Sequence, residues 1–156
     1  MQVRSVCLLG GSGFVGSRIA HALAQQGTQV RVLTRMRESA RHLLVLPTVD
    51  VVQTNAYDAA TLEKHFRGMD AVINLVGILR ERRRGDFQRV HTQLPQTVVT
   101  ALQRAGVRRF LHMSALPAAR DAPSAYLRSK GEAEIAIKNT RGEVAITMFR
   151  PSVIFG

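Results

Sequence analysis

Three glycines, Gly10, Gly13 and Gly16, constrain this chain more than any other feature. An apolar run over residues 3–9 stops at Gly10-Gly11-Ser12-Gly13-Phe14-Val15-Gly16, and a helical pattern begins at once. Val15, Ile19 and Leu23 then recur four apart on one face, and Gly27 supplies a C-terminal stop. A strand, a glycine turn and a helix in this order form a dinucleotide cradle. The first glycine turns the backbone out of the strand. The second leaves room for a pyrophosphate against the main chain, and the third lets the helix pack on the strand. The helix N-terminus adds free N–H groups and a dipole that favour an anion.

The alternation continues along the chain. Strands are expected at 29–34, 49–54, 71–76, 107–113 and 144–149. Helices are expected at 38–46, from a cap at Asp58, over 87–105 with Pro95 as a kink, and from a cap at Ser124. Six strands alternating with five helices predict an α/β fold: a Rossmann-type, doubly wound parallel sheet in three layers, with right-handed crossovers. The ligand is expected at the carboxyl ends of the strands. No linker divides the chain, so residues 1–156 are read as one domain.

The 46% hydrophobic content suffices for a core, and no apolar run is long enough to span a membrane. The start of the chain reads as a core strand, not as a signal peptide. The single cysteine, Cys7, excludes an internal disulfide and fits a reducing, cytoplasmic setting; its mid-strand place predicts a buried small hydrophobe. The net charge of +11 favours anionic partners such as phosphates, nucleic acid or acidic headgroups. Most arginines are scattered, and only Arg80-Glu81-Arg82-Arg83-Arg84 clusters. Aromatics at 5% are too few for a base-stacking platform, which disfavours nucleic acid; peripheral contact with the inner face of a membrane stays open. The five histidines fall at no zinc-type spacing, so no metal site is assigned.

Strand two ends in Thr34-Arg35-Met36-Arg37, with no acid at the tip to bond a ribose 2′-hydroxyl. A guanidinium there suits a 2′-phosphate, so NADP is favoured as cofactor, with NAD the alternative. Further on, Tyr126 and Lys130 stand at i and i+4, on one face of a helix. A cation beside a phenol lowers its pKa and fits it for acid/base work on a carbonyl or alcohol.

The ordered set Gly10-x-x-Gly13-x-x-Gly16, Asn74-Leu75-Val76-Gly77, His112-Met113-Ser114-Ala115, Tyr126-x-x-x-Lys130 and Arg150-Pro151-Ser152-Val153-Ile154-Phe155-Gly156 resembles the extended short-chain dehydrogenases/reductases. It is similar in particular to the atypical, epimerase/dehydratase-like branch that includes the NADPH-binding accessory subunit of respiratory complex I. The resemblance implies that Gly10, Gly11, Ser12, Gly13, Phe14, Val15 and Gly16 cradle the pyrophosphate and that Arg35 sits at the adenosine ribose. It implies that Asn55 and Ala56 border the adenine and that Leu75, Val76 and Gly77 line the middle of the cofactor. Pro151 and Val153 would approach the nicotinamide. Tyr126 and Lys130 match the catalytic pair, Lys130 also bonding ribose hydroxyls. Catalytic members carry Ser or Thr where Ala115 stands, with Ser114 the neighbouring candidate on the other strand face. Members also continue past Gly156 into a substrate-binding portion, so the resemblance implies a cofactor-binding part, with a sheet edge left exposed or paired in an oligomer.

Three readings follow: an NADP-dependent oxidoreductase or epimerase acting on an unidentified small molecule; a non-catalytic NADPH-binding subunit of a homo-oligomer or larger complex; and a basic protein at nucleic acid or a membrane surface.

Overall fold

Alternating side chains on each strand fill two cores, one on either face of a central sheet. A computed structural model describes residues 2–140 and 142–156. Among these, the strands are β1 (Ser5–Leu9), β2 (Gln29–Thr34), β3 (Val49–Gln53), β4 (Ala71–Asn74), β5 (Arg109–Met113) and β6 (Ala145–Phe149). All neighbours pair in parallel, in the order β3-β2-β1-β4-β5-β6. The helices are α1 (Phe14–Gln25), α2 (Ala59–Phe66), α3 (Leu94–Ala105) and α4 (Ala125–Lys138). This is the doubly wound Rossmann-type α/β fold.

Val6 and Leu8 of β1 point into the core beneath α1, with Ala20, Val30 and Val32. Cys7 and Leu9 point the other way, against Leu62 and Phe66 of α2 and Val98 and Leu102 of α3. Each fully buried Leu or Phe contributes about 1.5–3 kcal/mol relative to exposure. Cys7 lies within this core, where burial pushes its thiol up to about 12. At the sheet edge, Ile146 and Met148 of β6 face the second core while Phe149 is half exposed. No helix among the described residues is long and apolar enough to cross a membrane.

Asp58 and Ser124 cap α2 and α4 as expected, accepting from the N–H groups of Ala60 and Leu127. β1 and β5 begin two residues later than expected, at Ser5 and Arg109, and three further elements differ. β4 ends at Asn74, not at residue 76, because the Asn74 side chain accepts the Val76 N–H at 3.1 Å and turns the chain. The short helix near residue 38 is a 3₁₀ segment, Arg37–Leu43. The helix expected over 87–105 opens as a π-helical segment, Gln88–Gln93, and becomes α-helical only at Leu94. Pro95 stands where the π-helical segment gives way to α3, and having no N–H it donates no bond to the preceding turn there.

The strand order reverses between β1 and β4, so their carboxyl ends diverge and open a crevice.

Candidate functional site

The carboxyl ends of β1 to β4 surround a cleft of about 410 Å³. Gly10, Ser12 and Gly13 line it after β1, and Thr34, Arg35 and Met36 after β2. Ala56 and Tyr57 stand after β3, and Leu75, Val76 and Gly77 after β4.

The three glycines of the turn do different work. Gly10 has φ +78°, and a Cβ there would lie 2.9 Å from the Leu75 carbonyl carbon. A Cβ on Gly16 would lie 2.2 Å from the Gly10 oxygen, so helix and turn meet there without space for a methyl. Gly13 is the opposite case: it is exposed, and a Cβ would meet only the Gly10 oxygen, at 3.4 Å. Gly13 is also the N-cap of α1; no side chain caps the helix and no acid stands in its first turn. The N–H groups and dipole at this end thus face an open space that one methyl would begin to fill. A pyrophosphate fits such a cradle.

At the tip of β2 the Thr34 hydroxyl donates to the Met36 carbonyl at 3.0 Å and accepts the Met36 N–H at 3.2 Å. Arg35 stands at the apex of this turn, exposed, with no carboxylate partner among the described residues. Arg37 is turned away: its guanidinium donates to the Val51 carbonyl at 3.2 Å and its N–H to Gln53.

On the far side, α4 carries Tyr126 and Lys130. Tyr126 packs edge-on against His91 and Phe87, with centroids 5.3 and 6.0 Å away. Burial raises the pKa of its phenol. The Lys130 ammonium is buried instead, donates to the Met113 carbonyl at 3.0 Å, and is held down to about 8 by that burial. It still reaches the cleft wall, since a Cβ on Gly77 would lie 3.4 Å from Nζ. Ser114, also buried, donates to Glu134 at 2.5 Å, and Glu134 in turn pairs with Arg150 at 2.9 Å. The Ser114 hydroxyl is thus engaged at the base of α4 and is not among the groups that line the cleft.

Other expected residues take supporting places. Asn55 accepts the Tyr57 N–H at 3.0 Å and shapes the turn after β3, while its neighbour Ala56 lines the cleft. Gly11 is buried beneath Val32. Phe14 is exposed and its ring lies against Gly156; Val15 is half-buried. The Pro151 carbonyl accepts from Leu116 N–H at 2.9 Å, and Val153 is exposed. Neither Pro151 nor Val153 lines the cleft.

His91, one of the five histidines without zinc-type spacing, ties the site together. Its Nε2 accepts the Ile78 N–H at 3.0 Å, which leaves the proton on Nδ1. Nδ1 lies 2.9 Å from the Ser129 hydroxyl, which itself donates to the Tyr126 carbonyl at 2.7 Å. Burial, then the Lys130 charge, hold His91 down to about 3, so it stays neutral. Its partners lie 13 and 38 residues away in sequence, and no local pattern announces them.

Residues 10–154 match the family described as NAD(P)H-binding, and the chain belongs to that family. It is 33% identical over 153 residues to the mouse mitochondrial NADH dehydrogenase [ubiquinone] 1 alpha subcomplex subunit 9, a match covering 96% of this chain and 40% of that protein. It is 29% identical over 151 residues to the ceramide reductase of Caulobacter vibrioides, covering 97% of this chain and 46% of the reductase. The chain thus spans less than half the length of these curated relatives. The crystal structure of the Bordetella bronchiseptica enzyme WbmG in complex with NAD superposes with a TM-score of 0.74 at 21% identity, over 96% of this chain and 53% of WbmG. That likeness is one of fold.

Proposed function

We propose that this protein binds NADPH across the carboxyl ends of its strands, and that it forms the cofactor-binding portion of a short-chain dehydrogenase/reductase-like protein. In this reading the pyrophosphate lies over Gly13 at the open end of α1, the adenine beside Ala56, and the 2′-phosphate at Arg35. One observation carries the choice of NADPH: an arginine without a carboxylate partner stands at the β2 tip, on the rim of the cleft. A guanidinium bonds a phosphate dianion but repels no hydroxyl, so discrimination comes from added affinity for NADPH.

Titration of the purified protein with NADPH and NADH, followed by nicotinamide fluorescence, tests this. NADPH binds more tightly, and Arg35→Ala weakens it about ten- to hundredfold, the loss of one or two charge-assisted bonds. NADH affinity stays nearly unchanged. Equal affinities in the unaltered protein would remove the 2′-phosphate assignment.

A second reading adds turnover, with Tyr126 as acid/base toward a carbonyl or alcohol and Lys130 at the ribose. The proximity of Lys130 to Gly77 at the cleft wall favours it, as does the similarity to a reductase. The structure has no hydroxyl at Ala115 and gives Tyr126 a raised pKa, so binding without turnover, as in an assembly subunit, stands ahead of it. Loss of NADPH oxidation in Tyr126→Phe with binding retained would reverse that order.

A further inference from the structure

After β4 the chain forms a basic loop whose two acids are turned onto its own backbone. Glu81 accepts the N–H groups of Gly85 and Phe87 at 3.1 and 2.9 Å. Asp86 accepts those of Arg82 and Arg83 at 3.0 and 2.9 Å, and these bonds hold its carboxyl below the usual range. The acids close the loop, and Arg80, Arg82, Arg83 and Arg84 form no ion pair among the described residues. These four arginines, with Arg89, surround a basin of about 670 Å³ that Arg35 completes on the cleft side. Arg89 is only loosely paired, 3.8 Å from Asp86, and its guanidinium lies over the Tyr57 ring at 5.0 Å. Arg35, Ile78 and Val90 line both the basin and the cleft.

We propose that this basin is a second binding site, for a compact soluble ligand carrying two or more phosphate groups, and that it is coupled to the nucleotide cleft through Arg35. Six guanidiniums against the loop's two carboxylates, Glu81 and Asp86, leave a concave field of positive sign, which concentrates polyanions. Guanidinium forks match phosphate oxygens in pairs. The basin has the size of a small-ligand pocket. No aromatic side chain lines it, and the Tyr57 ring beside it is covered by the Arg89 guanidinium, so bases find no platform there. The coupling, though not the site, rests on the NADPH reading: one Arg35 serves either the 2′-phosphate or the basin's ligand, and the two anions repel.

The probe is tripolyphosphate, titrated calorimetrically into the purified protein at low salt. It binds, and Arg82→Ala/Arg83→Ala/Arg84→Ala weakens it about tenfold or more while the melting temperature is retained. Saturating tripolyphosphate weakens NADPH about fivefold and NADH less, and NADPH weakens tripolyphosphate by the same factor. Absence of tripolyphosphate binding, or indifference to the triple substitution, overturns the site. Equal weakening of NADPH and NADH overturns the coupling. Binding confined to phosphatidylglycerol vesicles or to an oligouridylate would make the loop a membrane or nucleic-acid surface and overturn the proposal. If neither dinucleotide binds but tripolyphosphate does, and the substitutions abolish it, the basin stands and the NADPH reading fails.

Discussion

Gly13 and Gly16 occupy one turn, three residues apart, yet alanine at each should have opposite consequences. At Gly16 the new methyl starts 2.2 Å from the Gly10 oxygen and 2.6 Å from the Gly11 Cα. Both are backbone atoms, so no rotamer relieves the overlap and α1 must move by roughly 1 Å, at the usual overpacking cost of about 1–3 kcal/mol. Alanine's helix propensity returns about 1 kcal/mol at most. The net loss of up to about 2 kcal/mol lowers the melting temperature by up to about 8 °C for a domain of this size. At Gly13 the nearest atom is 3.4 Å away and the backbone is extended, at φ −77° and ψ 180°, which alanine adopts freely. Losing glycine at the N-cap costs about 0.5–1 kcal/mol, and the stiffer unfolded chain returns about 0.4–1 kcal/mol. Stability should hardly change.

The ligand response separates the two readings of the turn. At a hundred times its Kd, NADPH adds about 2.7 kcal/mol to the stability of the unaltered protein. If the Gly13→Ala methyl weakens binding about thirtyfold, the same concentration adds only about 1 kcal/mol. Thermal melts with and without NADPH therefore show a normal apo midpoint and a much reduced ligand shift for Gly13→Ala. Gly16→Ala shows a depressed apo midpoint. A Gly13→Ala protein that keeps the full NADPH shift would refute the placement of the pyrophosphate. One that melts as low as Gly16→Ala would refute the packing argument.

Replacing His91 by Phe strands the part-buried Ile78 N–H, so denaturant unfolding should show a loss of about 1 kcal/mol, the net worth of one hydrogen bond. Ser114→Ala removes a bond to the Glu134 carboxylate and should cost about 1.5–3 kcal/mol in the same assay, with NADPH affinity untouched; a changed affinity would place Ser114 in the site after all. The Lys130 pKa is depressed from 10.5 to about 8, so its neutral form is the one the fold prefers. Its contribution is therefore present above pH 10.5 and is lost as pH falls through about 8. Cys7 acts the other way: its raised pKa costs stability as pH climbs from 9 toward about 12. The readout is thus the difference between the unaltered protein and Lys130→Met across pH 8 to 10.5, which amounts to about 3 kcal/mol if burial sets the shift.

The layers were legible wherever one local rule decided the outcome. Period-two apolar strands, the four-residue spacing of α1, the caps at Asp58 and Ser124 and the glycine turn each follow from neighbours in sequence. So does Arg35, since the tip of β2 is set by the strand pattern. What escaped depends on partners far along the chain. The Tyr126–Lys130 spacing puts both on one helix face, but the pull of the Met113 carbonyl on the ammonium comes from β5. Ser114 looks like a free hydroxyl until Glu134, 20 residues on, is folded against it. The cluster at residues 80–84 stood out by composition, but composition does not say that Glu81 and Asp86 turn onto the loop's own backbone and leave the arginines around one basin.

Two buried donors at the carboxyl ends of β4 and β5, His112 and Lys130, have fewer acceptors than protons among the described residues. Asn74 spends its oxygen on the Val76 N–H, so its amide nitrogen is the donor to His112 Nδ1, 3.3 Å away. The His112 proton is thereby fixed on Nε2, which is buried and has no partner among the described residues. Burial first, then Lys130 and His91, hold this ring down to about 3, so it stays a neutral donor. Lys130 beside it has three N–H donors and, among the described residues, one acceptor, the Met113 carbonyl. Two buried groups thus offer protons with too few oxygens to take them, at about 1–3 kcal/mol for each donor left unpaired. A fold optimised for stability alone would replace such groups with apolar side chains of the same volume. Of the two, Lys130 stands behind Gly77, 3.4 Å from where a Cβ would lie, so a hydroxyl-bearing ligand such as the ribose of the proposed cofactor would find an unfilled donor there.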